Sequence, residues 1–272
     1  MISGEVRQIQ HADYVLSAVE RQQGYTLLCT HTAVTDLVVE TLEARGSSDI
    51  PDQAAMATVR AGADLGRDAR LLHLQTPRSN RLRFLAGQSV ALGVADPGGD
   101  LAQTLPLAGC PCDERDLHFH VMRDEAPLAQ RLFAGALRPG TTVSVRGPAG
   151  DFVLDPESTR PLLLACDLGF GPIKSAVEHA IASEQVDAFA LNWVARSADG
   201  HYLGNQCRAW AAAFDGFSYV PLVDADAAAG ARRAVERLAA DGLAPQRCDV
   251  FVTRPEPFMQ AAVPAQTRSL IL

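Results

Sequence analysis

The clearest pattern in the chain is a change of hydrophobic period near residue 151. Before it, apolar and polar residues alternate in short runs. Val90, Leu92 and Val94 share one face, as do Leu117, Phe119 and Val121, and then Val143 and Val145. Such runs at 70–75, 89–94, 116–123 and 142–146, separated by Gly and Pro, predict a small antiparallel β-barrel. A helix is predicted over 128–137, stopped by Pro139 and Gly140. After residue 151 the period predicts strands at 162–165, 188–195, 218–222 and 249–252. Helices fall between them at 173–182, 203–214 and 228–240, the last capped by Gly242. Strand–helix alternation of this kind builds a doubly wound α/β unit on a parallel sheet.

The stretch from Pro161 to Ser183 organises the second half. Leu162 to Ala165 reads as a buried parallel strand. Asp167, Gly169, Gly171 and Pro172 make a tight turn. Ile173, Ala176, Val177, Ala180 and Ile181 then follow at helical spacing. A turn that feeds a helix N-terminus presents free N–H groups and the positive end of a dipole, a seat for a pyrophosphate. Only Gly169-Phe170-Gly171 of the G-x-G-x-x-G dinucleotide pattern is present. Glycines here can equally serve only to relieve steric strain in a βα turn.

The first 45 residues carry a weaker pattern. Gly4-Glu5-Val6 leads into a strand. A helical turn opens over Tyr14 to Ser17, with Glu20 three residues on as in a capping box. Gln22 to Thr30 reads as a turn and an apolar strand carrying Cys29, and 36–42 as an edge strand. The segment is too short to bury a core alone. Residues 46–55 read as a polar linker.

Composition narrows the function classes. The chain of 272 residues has room for two domains of ordinary size. Its net charge of -8 argues against nucleic acid as a partner. No apolar run reaches the length of a membrane span, and the residues after Met1 do not read as a secretory signal. Six cysteines without dense spacing predict reduced thiols and a cytoplasmic location. Cys110-Pro111-Cys112 is too tight for a C-x2-C metal knuckle and reads as structural or incidental thiols. His118 and His120 share the outer face of one strand; without a third ligand they predict a solvated face.

The residues 4–40, with Gly24-Tyr25-Thr26-Leu27-Leu28-Cys29, resemble the second half of a plant-type [2Fe–2S] ferredoxin domain. The resemblance implies that Cys29 is a remnant cluster ligand, insufficient alone because such a cluster needs four. It implies either an N-terminally truncated form of a longer protein or loss of the ferredoxin half. Beyond it, FLAGQSVAL, RPGTTVSVRGPAGDFVL, GFGPIKSAVEHA and DVFVTRPEPFMQAA follow in the order of the ferredoxin–NADP reductase superfamily. The chain is similar to its fused ferredoxin–reductases of the phthalate dioxygenase reductase and CDP-6-deoxy-glucoseen reductase type.

The resemblance implies an α+β remnant over 1–45, a FAD-type β-barrel over 53–157, and an NAD(P)-type α/β unit over 158–272. It places flavin contacts at Gln103, Thr104, Leu105, Pro106 and Leu107, where the family has R-x-Y-[ST], and at Ala126 and Ala129, where it has a phosphate turn. The cation, the stacking ring and the hydroxyl donor of the family are replaced, leaving backbone groups and a Leu105 able to cover a ring face. Nicotinamide-nucleotide contacts are implied at Asp167, Gly169, Phe170, Gly171, Pro172, Arg196, Thr253 and Arg254. Asp167 would repel a pyrophosphate or bond a ribose hydroxyl. Lys174, the only lysine, would offset Asp167 or reach solvent. No catalytic acid, base or nucleophile is implied, because the cofactors carry the chemistry.

Two readings follow. In the first, NAD(P)H reduces FAD, and electrons pass to an iron–sulfur centre or to a partner oxygenase or reductase component. The cofactors are then FAD, NADH or NADPH, and [2Fe–2S] if the missing cysteines are supplied. In the second, the chain is a reductase-shaped binding or accessory subunit without redox activity.

Overall fold

The computed structural model describes the chain outside residues 1–2, 10–15, 17, 23, 40–45, 79, 95–100, 114, 125, 155–160, 185, 243–248, 254, 263–268 and 272. The N-terminal segment holds β1 (Val6–Gln8), α1 (Ala18–Gln22) and β2 (His31–Ala33). β1 and β2 pair antiparallel, with Val6 opposite Ala33. Ile9, Tyr25, Leu28, Val34 and Val38 stay exposed, as expected of a segment with too little chain to enclose them. The strand expected through Cys29 is instead a 3-10 turn at Leu28–Thr30. The Thr30 hydroxyl donates to Leu27 O at 3.1 Å, and the His31 ring meets the same carbonyl at 2.9 Å, which curls the backbone. The edge strand expected at 36–42 is reduced to a bridge between Ser3 and Val38. Its end, like Tyr14, Val15 and Ser17 of the expected helical turn, lies outside the described residues.

The first lobe is a six-stranded antiparallel sheet curled around one core. It contains β3 (Gln53–Asp64), β4 (Ala69–Gln75), β5 (Ser89–Val94), β6 (Leu101–Pro106), β7 (Asp116–Met122) and β8 (Thr142–Ala149), in the order β6-β5-β8-β3-β4-β7. The segment after β6 reaches the far edge, where Ala108 N donates to His118 O at 2.8 Å. Helix α2 (Pro127–Phe133) packs Leu128, Ala129 and Leu132 into this core. β3 begins inside the expected linker. Its inward positions, Ala55, Ala57 and Val59, are mostly too small to mark a strand by hydrophobicity. Gly87 has φ +96, and a Cβ there would stand 2.1 Å from Phe152 O, so the turn before β5 can approach the chain leaving β8 only as glycine.

The second lobe contains β9 (Leu162–Cys166), α3 (Phe170–Ser183), β10 (Phe189–Ala195), α4 (Gly204–Ala213), β11 (Phe217–Val223), α5 (Ala227–Ala240), β12 (Val250–Val252), α6 (Glu256–Ala262) and β13 (Ser269–Ile271). The parallel strands lie in the order β11-β10-β9-β12-β13. All of β9 and β10 is buried, as strands between two helical layers require, with Asn192 the one polar residue of β10 and its amide donating to Ala234 O. Strand order reverses between β9 and β12, the place where such sheets leave a crevice at their carboxyl ends. The chain therefore has the fold class its patterns implied, a curled antiparallel sheet followed by a doubly wound parallel one.

Candidate functional site

The turn leaving β9 lies at that crevice. Asp167 takes a left-handed backbone conformation, φ +45, at the head of a 3-10 turn that runs into α3. The Trp193 indole N–H donates to Asp167 O at 3.0 Å. Arg196 N donates to Asp167 Oδ1 at 2.9 Å, and the Arg196 guanidinium pairs with Oδ2. The carboxylate therefore closes on its own arginine. The hydrogen bond that Arg196 donates to Asp167 raises the Arg196 pKa against a smaller opposing effect of burial. Beside this pair the Cys166 thiol is pushed up to about 12, first by burial and then by the Asp167 charge.

The rest of the turn is covered. Phe170 is buried and stacks on Trp193 with ring centroids 4.0 Å apart. Gly171 and Pro172 are buried, and a Cβ on Gly171 would lie 3.6 Å from Ala108 Cβ and from His120 Nδ1. The first turn of α3 thus sits directly on the first lobe. Lys174 Nζ donates to Ala108 O at 3.0 Å and pairs with Glu178 at 2.7 Å. The Ser175 hydroxyl donates to Gly109 O at 2.6 Å. Lys174 neither offsets Asp167 nor reaches solvent, because it is spent across the boundary between lobes.

The solvated histidine face is also corrected. At His120 the outer face of β7 is covered by the second lobe and this residue is 8% exposed, whereas His118 is half-buried. Its Nδ1 lies 2.9 Å from the Tyr202 hydroxyl. Burial, then the Lys174 and His118 charges, lower the His120 pKa to about 3. Tyr202 is raised well above its usual value by the same burial. His118 lies beside His73, ring centroids 4.7 Å apart, and His73 Nε2 meets Asp116 at 2.6 Å. Among the described residues no group of three or more His, Cys, Asp or Glu could hold a metal ion.

On the flavin side, Leu105 turns inward and is 8% exposed, packed in the barrel core. Leu107 and Ala129 are fully buried, Thr104 is exposed, and Pro106 is half-buried. Ala126 N–H is taken by Asp124 Oδ1 at 2.9 Å. Gln103 Oε1 is buried with no partner among the described residues, an acceptor open to a ligand hydroxyl or N–H. No arginine or lysine stands at 103–109 or 126–129. The set fits the uncharged part of a flavin dinucleotide and not its pyrophosphate. Cys110 and Cys112 are joined in a disulfide, not left as the two thiols expected.

A pocket of about 330 Å³ opens between the lobes beside the turn leaving β9. Asp167 and Arg196 line it together with Arg67, Asp68, Ser197, Asp199 and Tyr202. Of these, the resemblance pointed to Asp167 and Arg196 alone. Arg67 and Asp68 lie in the β3–β4 turn, where a polar pair carries no signal beyond a hairpin. Thr253 is fully buried and its hydroxyl lies 3.5 Å from Leu164 O. Arg254 lies outside the described residues. Cys29 is in the N-terminal segment described above, in a 3-10 turn.

A curled antiparallel sheet docked on a doubly wound parallel one, with residues 108–109 bonded to the start of α3, has the architecture of the ferredoxin reductase class. The reductase subunit of an aromatic O-demethylase from an Amycolatopsis species is 32% identical over 232 residues, covering 82% of this chain and 67% of the relative. Terephthalate 1,2-dioxygenase reductase component 1 from a Comamonas species is 28% identical over 211 residues, covering 75% and 62%. The fold matches a ferredoxin NADP+ reductase from Neisseria gonorrhoeae, solved with bound FAD and NADP, at a TM-score of 0.67 and 13% identity, over 80% of this chain and 98% of that one. No protein-family model matches. The chain belongs to the phthalate dioxygenase reductase-type family of ferredoxin reductases. It spans 62% and 67% of the lengths of the two curated relatives.

Proposed function

We propose that this chain is the reductase part of an NAD(P)H-dependent electron-transfer system, taking electrons from NADH or NADPH by way of FAD and delivering them to an iron–sulfur centre or a partner protein such as an oxygenase component. The observation that carries the reading is the junction of lobes. It brings the segment 107–109, which corresponds to the family's flavin loop, into hydrogen-bond contact with the start of α3, which corresponds to its nucleotide turn. Family membership and the acceptor systems named for the relatives support the same reading. Bound flavin supplies two-electron uptake and one-electron release. Residues 53–157 would hold it, with the Gln103 amide and backbone groups in place of the family's arginine and tyrosine. Residues 158–272 would hold the nicotinamide nucleotide near Asp167, Arg196, Thr253 and Arg254. The 1–45 segment would contribute Cys29 to a [2Fe–2S] centre only where three further cysteines join it. A cytoplasmic location accords with the unpaired buried thiols Cys166 and Cys207, and no described helix is long and apolar enough to cross a membrane.

A second reading, a reductase-shaped accessory subunit, is favoured by the missing cations and by the commitment of the Ala108 and Gly109 carbonyls. Absorbance separates the two. Protein reconstituted with FAD that shows a bound-flavin spectrum, bleached by NADH or NADPH, supports the reductase. Protein that leaves FAD free at high micromolar concentration supports the accessory subunit.

A further inference from the structure

Cys110 and Cys112 stand apart from the other described cysteines. Their Cα atoms are 5.2 Å apart and two positions separate them in sequence. A bond that closes so short a loop removes little entropy from the unfolded chain, so fold stability is a poor reason for it. The pair is accessible, with Cys112 exposed and Cys110 half-buried. Cys166 and Cys207 are buried instead, with thiols pushed up to about 12 chiefly by burial, and are inert. The backbone N–H of Cys112 donates to Cys110 Sγ at 3.2 Å. That donor is placed to stabilise negative charge on Cys110 when the bond opens. The polarity of the pair is therefore built in: Cys112 is the sulfur open to attack, and Cys110 is the leaving group.

The pair also sits next to the junction of lobes. Gly109 O, one residue before Cys110, accepts from Ser175, and Ala108 O accepts from Lys174. Asp113 N returns to Cys110 O at 3.2 Å and completes the turn. The disulfide thus fixes the far end of the loop on which α3 docks.

We propose that Cys110–Cys112 is a thiol–disulfide exchange site for a dithiol reductant, and that the oxidised pair holds the 107–112 loop in the form that docks the two lobes. A thiolate of the dithiol attacks Cys112 Sγ and forms a mixed disulfide. The Cys110–Cys112 bond breaks, and Cys110 leaves as a thiolate that takes a proton from solvent. The second thiol of the reductant, deprotonated, attacks the mixed disulfide at the reductant's own sulfur and releases Cys112, which is protonated in turn. Two electrons and two protons pass from the dithiol to the pair, and the reductant becomes a disulfide. The exchange needs neither flavin nor nucleotide, so it stands or falls separately from the function proposed above.

The test uses the full chain, folded, equilibrated across mixtures of reduced and oxidised dithiothreitol and then quenched with iodoacetamide. Mass spectrometry of the peptide containing both cysteines is expected to pass from no label to two labels as one couple, with Cys166 and Cys207 unlabelled. Label on that peptide before any reductant is added, or a bond that opens only in denaturant, overturns the exchange site. Hydrogen exchange in 170–177 is expected to quicken at least threefold in the reduced protein and in Cys112→Ser. Exchange unchanged in both overturns the coupling to docking.

Discussion

Lys174 and Ala108 join the lobes through one hydrogen bond, Nζ to carbonyl oxygen at 3.0 Å, while Glu178 holds the same ammonium at 2.7 Å. The lysine is 9% exposed, so its charge is kept at the boundary only by these partners. Lys174→Met removes the cation, leaves the Ala108 carbonyl without its side-chain donor, and leaves Glu178 with only the Gln206 amide at 3.5 Å. A loss of about 3 kcal/mol in unfolding free energy is expected, the cost typical of breaking a buried pair from one side. Urea denaturation measures it. A loss below about 0.5 kcal/mol would show that the lobes dock without it.

The Asp167–Arg196 pair predicts a change in nucleotide affinity. The guanidinium that could meet a phosphate already has an anion on it. Asp167→Ala removes that competitor and a repelling charge. Affinity for NADPH is expected to rise about tenfold, roughly 1.4 kcal/mol, and more than for NADH. Titration calorimetry on both nucleotides checks it, and equal or weaker NADPH binding in the variant would sink the idea.

His120 predicts an acid-sensitive junction. Its folded pKa, near 3, lies below the ordinary 6.5, so the unfolded chain binds more protons between those values. Stability attributable to this group is complete above pH 6.5 and falls as pH drops toward 3. His118 and His179 are lowered by burial and act in the same direction. Each tenfold loss of proton affinity corresponds to about 1.4 kcal/mol, which bounds the contribution of His120 at a few kcal/mol. Urea midpoints from pH 7 to 4 are expected to fall less steeply in His120→Gln than in the unaltered protein.

The flavin side predicts opposite outcomes at two neighbouring positions. Gln103→Arg places a cation where none stands and is expected to strengthen FAD binding about tenfold. Leu105→Tyr is expected to destabilise by about 1–3 kcal/mol, because a larger side chain must enter a filled core. Flavin fluorescence quenching and thermal unfolding read the two effects. Stable, tighter-binding Leu105→Tyr protein would mean that this side chain can swing to the outer face.

The elements were largely legible because their patterns are local. An unbroken apolar run such as Leu162–Cys166 can only be buried on both faces, and α3 announces itself by its spacing. β3 was not, since alanines at inward positions weaken the alternation. The site was less legible still. Gln103, Asp167 and Arg196 were marked by position in a resemblance, but the partners Asp167 finds, Trp193 and Arg196, lie 26 and 29 positions away.

By itself the sequence determined the change from period two to strand–helix alternation, hence a barrel-like sheet followed by a wound one, and the absence of any arginine or lysine at 103–109 and 126–129. Tertiary packing alone decided that Asp167 turns to Arg196, that Lys174 and His120 are buried between lobes, and that Leu105 faces inward. The reason is physical: a hydrophobic period depends on neighbours a few residues away, whereas the partner of a charge or a ring is chosen by which surfaces the folded chain presses together.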